Sequence, residues 1–302
     1  MKSLKAMTLS TAILAAFGAH AQLILTVTNY CQNFDGLGGG LPKGWMVCTN
    51  AHATNVGTAT TFITSSTSWG SQTGQFQNSA STCNGGTNLL GTEISGVQSG
   101  FTNRAPAIRQ TGSFGDPGAA FVLNLTNTLG MANFQLTVDF LMLSVQTRSN
   151  VWTVDYGIGG TPVNFTPLAA YTNSRVFGAM RTNLSFGAAL DNKNANVWIR
   201  FVALGGSSGT GTRDTFGLDN FSLSWTNLLQ PVITTFSLEG GVKIDFTGNG
   251  GDIPSSFLLV GSSEVGGAYA DTGALITQLG PGQFRANCSL NDSQHFYRVQ
   301  RR

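Results

Sequence analysis

The chain has 302 residues, of which 39 are glycine and four are cysteine. Only 10% of residues are charged, against about 25% in ordinary globular proteins, while 41% are apolar. That apolar content excludes a disordered chain, which combines low hydrophobicity with high charge. Lys and Arg number 16 and Asp and Glu 14, and Lys2 and Lys5 fall in a removable leader, so the remainder is neutral. A neutral chain lacks the basic footprint of a nucleic-acid-binding or anionic-membrane-binding protein.

Residues 1–21 carry the three parts of an export signal. Lys2 and Lys5 form a charged start, an apolar run extends from about Leu9 to Phe17, and Ala19-His20-Ala21 fits the small-x-small cleavage rule. Cleavage after Ala21 makes Gln22 the mature N-terminus. The apolar run falls short of the ~20 residues that cross a bilayer, so a secreted or cell-surface location is expected, with no membrane span. The brevity of the leader points to a bacterial source.

From Leu23 to Trp225 apolar residues recur with period two. The pattern predicts strands over Phe121–Leu125, Phe134–Phe140, Val151–Tyr156, Val197–Val202 and Phe216–Leu223, bounded by Gly, Asn, Ser and Pro. A helical period is almost absent, and the best candidate is one turn near Ala188–Lys193. So many half-buried strands predict an all-β jelly-roll β-sandwich over residues 22–228. The Thr/Ser/Gly/Asn-rich stretch Asn50–Gly100 reads either as plain loops or as a ligand-contacting rim. In the second reading Trp69 and Phe76 are ligand-stacking aromatics.

A boundary falls near Leu228–Pro231. Beyond it the strand series Val232–Leu238, Val242–Phe246, Phe257–Val260, Gln283–Ser289 and Phe296–Gln300 predicts a small immunoglobulin/fibronectin-III-like β-sandwich over 231–302. One continuous sandwich is the alternative.

The segment Asn33-Phe34-Asp35-Gly36-Leu37, followed by Leu41-Pro42-Lys43-Gly44-Trp45, resembles the opening of cleaved-adhesin, or choice-of-anchor J, jelly-roll domains of secreted bacterial proteins. Arg213–Leu223, containing Gly217-Leu218-Asp219-Asn220, is similar to the last strand of MAM-like and carbohydrate-binding jelly rolls. Phe296-Tyr297-Arg298-Val299 looks like the closing strand of small sandwich modules at the ends of secreted proteins. The resemblance implies a surface or binding role and no catalytic residues.

In a jelly roll the first and last strands are neighbours, which brings Asp35 and Asp219 together. Two such carboxylates repel unless a cation or an Arg lies between them. Related jelly rolls are similar in holding structural calcium there, so Asp35 and Asp219 are the expected Ca²⁺ ligands, with oxygens from Gly36–Gly40. The competing reading has Asp219 ordering its turn or pairing with Arg213. Asp139, Asp155 and Arg200 form a second constellation. A hairpin about Thr147 would set Asp139 opposite Asp155, with Arg200 relieving the repulsion. That trio is either a ligand site on a concave face or a set of solvent-facing side chains.

The four cysteines show no CxxC spacing, which speaks against zinc. If Tyr30–Asp35 and Trp45–Asn50 pair about Gly39–Gly40, Cys31 falls opposite Cys48 at a distance a disulfide can span. Cys48 to Cys83 is the competing pairing, and Cys288 is expected to be unpaired. A nucleophile elbow and a phosphate loop are both missing. Glu93 is the only Glu before residue 229, which disfavours a two-carboxylate glycosidase. The expectation is a secreted, non-enzymatic protein that binds glycan or cell-surface material. The alternatives are a structural surface-assembly protein and, behind it, a polysaccharide-active hydrolase.

Overall fold

The computed structural model describes residues 22–70, 74–82, 89–172, 175–290 and 296–302. The leader, Cys83 and the segment 291–295 lie outside the described residues. In chain order the strands are β1 (Asn29–Gln32), β2 (Trp45–Thr49), β3 (Thr58–Ala59), β4 (Phe62–Ser66), β5 (Phe76–Ala80), β6 (Arg104–Arg109), β7 (Ala120–Leu125), β8 (Met131–Ser144), β9 (Val151–Ile158), β10 (Thr166–Thr172), β11 (Gly178–Ser185), β12 (Val197–Val202) and β13 (Thr215–Asn227). Among the described residues one short α-helix, α1 (Ser95–Gly100), interrupts them. The expected helical turn at Ala188–Lys193 is a hydrogen-bonded turn, not a helix.

These strands form two sheets in a jelly-roll-type sandwich. The first runs β11-β8-β13-β6-β5-β4, with β1 also paired to β13, and the second runs β10-β9-β12-β7-β2-β3. The period-two pattern explains the layering, since successive side chains in a strand point to opposite faces. Phe134, Leu136, Val138 and Phe140 of β8 meet Phe121, Leu123, Val154 and Phe201 of the other sheet in one continuous core. Trp152 stacks on Phe216 with centroids 4.1 Å apart. Each such aromatic contributes roughly 1.5–3 kcal/mol by burial.

A second, smaller cluster lies on the outer face of the first sheet. Trp69, Leu89, Phe101 and Phe177 pack there against Ala105, Ala107, Leu141 and Leu143. The loop region between β4 and β6 is therefore folded down onto the sheet. It covers that half of the face and leaves the half made by β1, β8, β11 and the end of β13 open.

Further strands follow as β14 (Val232–Ser237), β15 (Val242–Thr247), β16 (Phe257–Ser262), β17 (Ala270–Asp271), β18 (Leu275–Gly280), β19 (Gln283–Cys288) and β20 (Phe296–Arg301). They form the sheets β14-β15-β19-β18 and β17-β16-β20 around Val242, Ile244, Phe246, Phe257, Leu259 and Phe284. The first of these has the A-B-E-D order of an immunoglobulin-type sandwich.

Cys31 and Cys48 do not form the expected disulfide. Strand β1 pairs with β13, and β2 pairs with β7 and β3, so the two cysteines lie in different sheets. Cys31, Cys48 and Cys288 carry free thiols. The Gly-rich segment crosses between sheets through a short 3-10 turn at Leu37–Gly39 and does not close a hairpin.

Candidate functional site

The site grows out of the segment Asn33-Phe34-Asp35. Phe34 sits in the left-handed region at φ 58°. Its ring is fully buried, edge-on to Trp45 at 5.0 Å. With Phe34 anchored, Asp35 turns to the outer face of the first sheet. There its Oδ1 accepts the backbone N–H of Arg104 at 3.0 Å, and its Oδ2 accepts Asn33 Nδ2 at 2.6 Å.

Arg104 at the start of β6 fastens the covering loop to the sheet. Its Nε donates to Asn78 Oδ1 at 2.7 Å, and Nη1 donates to the carbonyls of Gln98 and Phe101 at 2.9 and 3.0 Å. Nη2 donates to Ser66 Oγ at 2.6 Å and to the Asn78 carbonyl at 2.9 Å. All five guanidinium donors are thus used. Burial lowers the pKa of this guanidinium and the Asp35 charge opposes the shift, but an arginine stays charged throughout. Gln98 completes the fastening, accepting Trp69 N–H at 2.7 Å and donating to the Glu93 carbonyl at 2.7 Å.

On the opposite side, Asp139 of β8 takes both Nε and Nη2 of Arg181 at 2.9 Å, and Asn220 Nδ2 at 2.8 Å. Asn220 occupies a left-handed position, φ 46°, inside a bulge where the β13–β8 register shifts between Asp219 and Ser222. Bulges of this kind re-aim side chains next to sites. Here the bulge aims the Asn220 amide at Asp139 and leaves Asp219 fully buried beneath.

Asp219 Oδ2 accepts the Ser81 hydroxyl and Oδ1 accepts the Asn220 N–H. Burial pushes its pKa up to about 7. Those two hydrogen bonds work against the shift, and the nearby charges of Asp35 and Asp139 add to it.

Between the two sides runs an open groove of about 1460 Å³. Its polar lining includes Asn33, Asp35, Ser66, Asn78, Arg104, Asp139, Arg181 and Asn220, and its walls include Leu90, Phe101 and Phe177. Thr82 also lines it, and the Thr82 hydroxyl is buried without a hydrogen-bond partner. The charged lining residues are two aspartates and two arginines, so their charges cancel.

The expected sites divide accordingly. Asp35 and Asp139 both lie near enough to Asp219 for their charges to act on it, although Asp139 was expected beside Asp155 and not here. Trp69 and Phe76 are not ligand platforms. Trp69 is 2% exposed, donates its indole N–H to the Ala80 carbonyl at 2.8 Å and packs against Phe177. Phe76 is a core residue against Phe121.

The Asp139–Asp155–Arg200 trio does not exist. β8 pairs with β11 and β13, whereas β9 pairs with β10 and β12 in the other sheet, so no hairpin joins Asp139 to Asp155. Neither are these side chains solvent-facing. Arg200 donates Nε and Nη2 to Asp155 at 2.8 and 2.7 Å, in full burial. Its Nη1 donates to the carbonyls of His52 and Asn55, and the guanidinium lies 3.3 Å over the Phe165 ring. This cluster holds the residue 52–55 loop onto the second sheet. Arg213 pairs with Asp116 and not with Asp219.

Sequence reasoning missed Arg104, Arg181, Asn78 and Thr82. The one local signal was the alternation of Arg181, Asn183 and Ser185 in β11.

No family model matches the sequence, and no characterised protein does. Solved structures similar to this chain include the K1 cleaved adhesin domain of Lys-gingipain from Porphyromonas gingivalis W83. It is 12% identical over 66% of this chain and 98% of that one, with a TM-score of 0.36. The Stig cyclase Fisc from Fischerella sp. TAU is 13% identical over 67% and 91%, with a TM-score of 0.35. A Clostridium thermocellum xylanase 10B structure containing CBM22-1 and GH10 modules, complexed with xylohexaose, is 11% identical over 65% and 27%, with a TM-score of 0.30. Likeness this remote carries no argument about what the groove binds.

Proposed function

We propose that this is an exported binding protein whose groove between Arg104 and Arg181 takes a neutral, hydroxyl-rich ligand such as a glycan. The observation that carries the reading is the lining itself. Amides, hydroxyls and two cancelling charge pairs surround an open groove with an apolar wall. The donors of Arg104 are spent on the protein, but the carboxylate, amide and hydroxyl oxygens of the lining can accept further hydrogen bonds from adjacent hydroxyls. The buried Thr82 hydroxyl lacks a protein partner, and an unmade hydrogen bond of that kind costs roughly 1–3 kcal/mol until something supplies it.

The reading is of binding; the two carboxylates that line the groove, Asp35 and Asp139, are held by hydrogen bonds to Asn33 and the Arg104 N–H and to Arg181 and Asn220. Asp219, the carboxyl whose pKa reaches about 7, is fully buried and does not line the groove. A general acid has to come within hydrogen-bond reach of its substrate. Among the described residues no helix is long and apolar enough to cross a membrane. Export rests on the leader, and mass spectrometry of the exported protein is expected to begin at Gln22. Recovery of the chain with Met1 intact from the cytoplasm overturns that part.

Calcium belongs to the same proposal. Asp219 is surrounded by the charges of Asp35 and Asp139, and a divalent cation would turn that repulsion into attraction. Carboxylate, amide and carbonyl oxygens suit Ca²⁺. Among the described residues no three His, Cys, Asp or Glu side chains are gathered to hold a metal. Backbone and amide oxygens would therefore complete the shell around Asp35 and Asp219.

A glycan array run with and without calcium tests the function. Retention of neutral glycans, lost in the groove-blocking variant Gly100→Trp, is the expected result. Gly100 lines the groove and has open space where a side chain would start. An array without any neutral glycan bound overturns the reading.

A further inference from the structure

The open half of the first sheet carries an ordered polar surface that begins where the groove ends. Strand register places Asn29, Ser224, Gln135 and Ser185 in one row across β1, β13, β8 and β11. Cys31, Ser222, Thr137 and Asn183 form the next row. Asp139 and Arg181, which line the groove, stand two residues further along the same strands and make the following row. The rows are ~7 Å apart along the strands, at ~3.4 Å per residue, and four strands span about 14 Å in width.

Two properties set this face apart from an ordinary solvated sheet. Its first two rows contain no charged residue, whereas solvent-facing positions usually favour Lys, Glu, Arg and Asp. Its side chains are also interlocked across strands. Thr137 Oγ1 donates to Asn183 Oδ1 at 2.7 Å, and Gln135 Nε2 donates to Ser185 Oγ at 2.9 Å. Those bonds leave the Asn183 amide N–H groups and the Gln135 carbonyl oxygen for a ligand. Groups held in advance lose less freedom on binding.

We infer that the ligand is an extended neutral polysaccharide chain, which leaves the groove past Arg181 and lies across the rows of β8 and β11. The inference rests on the glycan reading of the groove and deepens it. Lack of charge on the face matches an uncharged polymer, and the shared Asp139–Arg181 row makes the surface continuous with the groove. A ligand held wholly within the groove gains nothing from the face, so the face adds affinity only for a chain long enough to leave it.

Affinity electrophoresis in gels containing hydroxyethylcellulose, xylan, laminarin or polygalacturonate tests this, with calorimetry on the matching disaccharides. Wild-type protein is expected to be retarded by at least one neutral polymer and to bind it more tightly than its disaccharide. The double variant Gln135→Ala/Asn183→Ala removes exposed side chains and is expected to narrow that polymer-to-disaccharide ratio about tenfold, the loss of one or two modest hydrogen bonds. An unchanged ratio in the double variant, with binding still abolished by Gly100→Trp, overturns the extension and leaves the groove reading standing. Retardation by polygalacturonate alone overturns the neutral-polymer assignment. Retardation by none of the polymers overturns both readings. If the double variant changes only self-association in size-exclusion chromatography, the face belongs to a second copy of the chain and the inference is wrong.

Discussion

Asp219 of β13 and Asp139 of β8 are direct cross-strand partners, yet one is ion-paired and the other is not. Asp139 rests against the guanidinium of Arg181, while Asp219 accepts only the neutral donors Ser81 and Asn220. Like charges placed opposite each other in a sheet are unfavourable. The bulge at Asn220 moves the Asp139 carboxylate's partners to the outer face and leaves Asp219 to hold its proton up to about pH 7.

That asymmetry gives a pH dependence with a definite sign. The folded pKa of Asp219 is raised from 3.8 to about 7, so between those values the native state holds a proton that the unfolded chain releases. Stability from this group is fully present below pH about 4 and falls as pH rises through about 7, by on the order of 4 kcal/mol. Denaturant melts in a metal chelator, taken from pH 4 to 8 for wild type and Asp219→Asn, isolate it as a difference. The variant is expected to gain on the wild type as pH rises. Parallel curves over that range show that the carboxyl is not perturbed.

Calcium is expected to reverse the same balance. A cation bound only by the native state stabilises by mass action, by about 2.7 kcal/mol at a hundred times its dissociation constant. The melting temperature therefore rises when Ca²⁺ is added above pH 7 and falls in EDTA. Asp219→Ala and Asp35→Ala each remove the difference. Equal melting temperatures in calcium and EDTA, with no metal found by elemental analysis, dispose of the site.

Strands β8, β9 and β13 were legible because their core-facing apolar residues alternate with partly exposed ones, and β7 and β12, buried on both faces, show as short, almost wholly apolar runs. Strands β10 and β11 were not. They are edge strands with mixed burial: β10 contains Pro167, and in β11 the polar alternation of Arg181, Asn183 and Ser185 is not matched by a buried apolar face, since Met180 is exposed and Thr182 is polar. Two short motifs at the ends of the sandwich placed Asp35 and Asp219 in one region, where the Asp35 charge acts on the Asp219 carboxyl. Arg104 and Arg181 were invisible because their partners are remote in sequence, Asn78 lying 26 residues away and Asp139 lying 42 away. Trp69 was misread for a different reason. Loop composition does not reveal that a polar stretch folds back onto a sheet and buries its one tryptophan.

The Arg200–Asp155 and Arg181–Asp139 pairs, on the outer faces of the two sheets, are expected to differ sharply in stability. Arg200 and Asp155 are both fully buried, whereas the Arg181 side chain is 60% exposed. Asp155→Ala strands a buried guanidinium and is expected to cost about 3–5 kcal/mol. Arg181→Ala breaks a solvent-screened pair and is expected to cost about 1 kcal/mol or less. At about 2–4 °C per kcal/mol for a domain near 200 residues, thermal melts separate the two readily. Similar melting temperatures for both variants contradict the burial of Arg200.

The cysteines offer a test of the sheet assignment that is independent of any ligand. Cys31 is exposed on β1, where its sulfur lies 3.4 Å from Ser222 Oγ. Cys48 is buried on β2 of the opposite sheet among Met46, Ala120 and Val202. Burial pushes the Cys48 thiol up to about 12, against the pull of Arg200. The thiolate is the reactive form, so Cys48 is doubly protected, by exclusion of reagent and by protonation. Brief treatment of the native protein with iodoacetamide is expected to alkylate Cys31 and leave Cys48 unmodified. Unfolding in denaturant without reductant then exposes Cys48 to the same reagent. A Cys48 that reacts only after reduction is in a disulfide, and if peptide mapping shows Cys31 as its partner, the separation of β1 and β2 into different sheets is wrong.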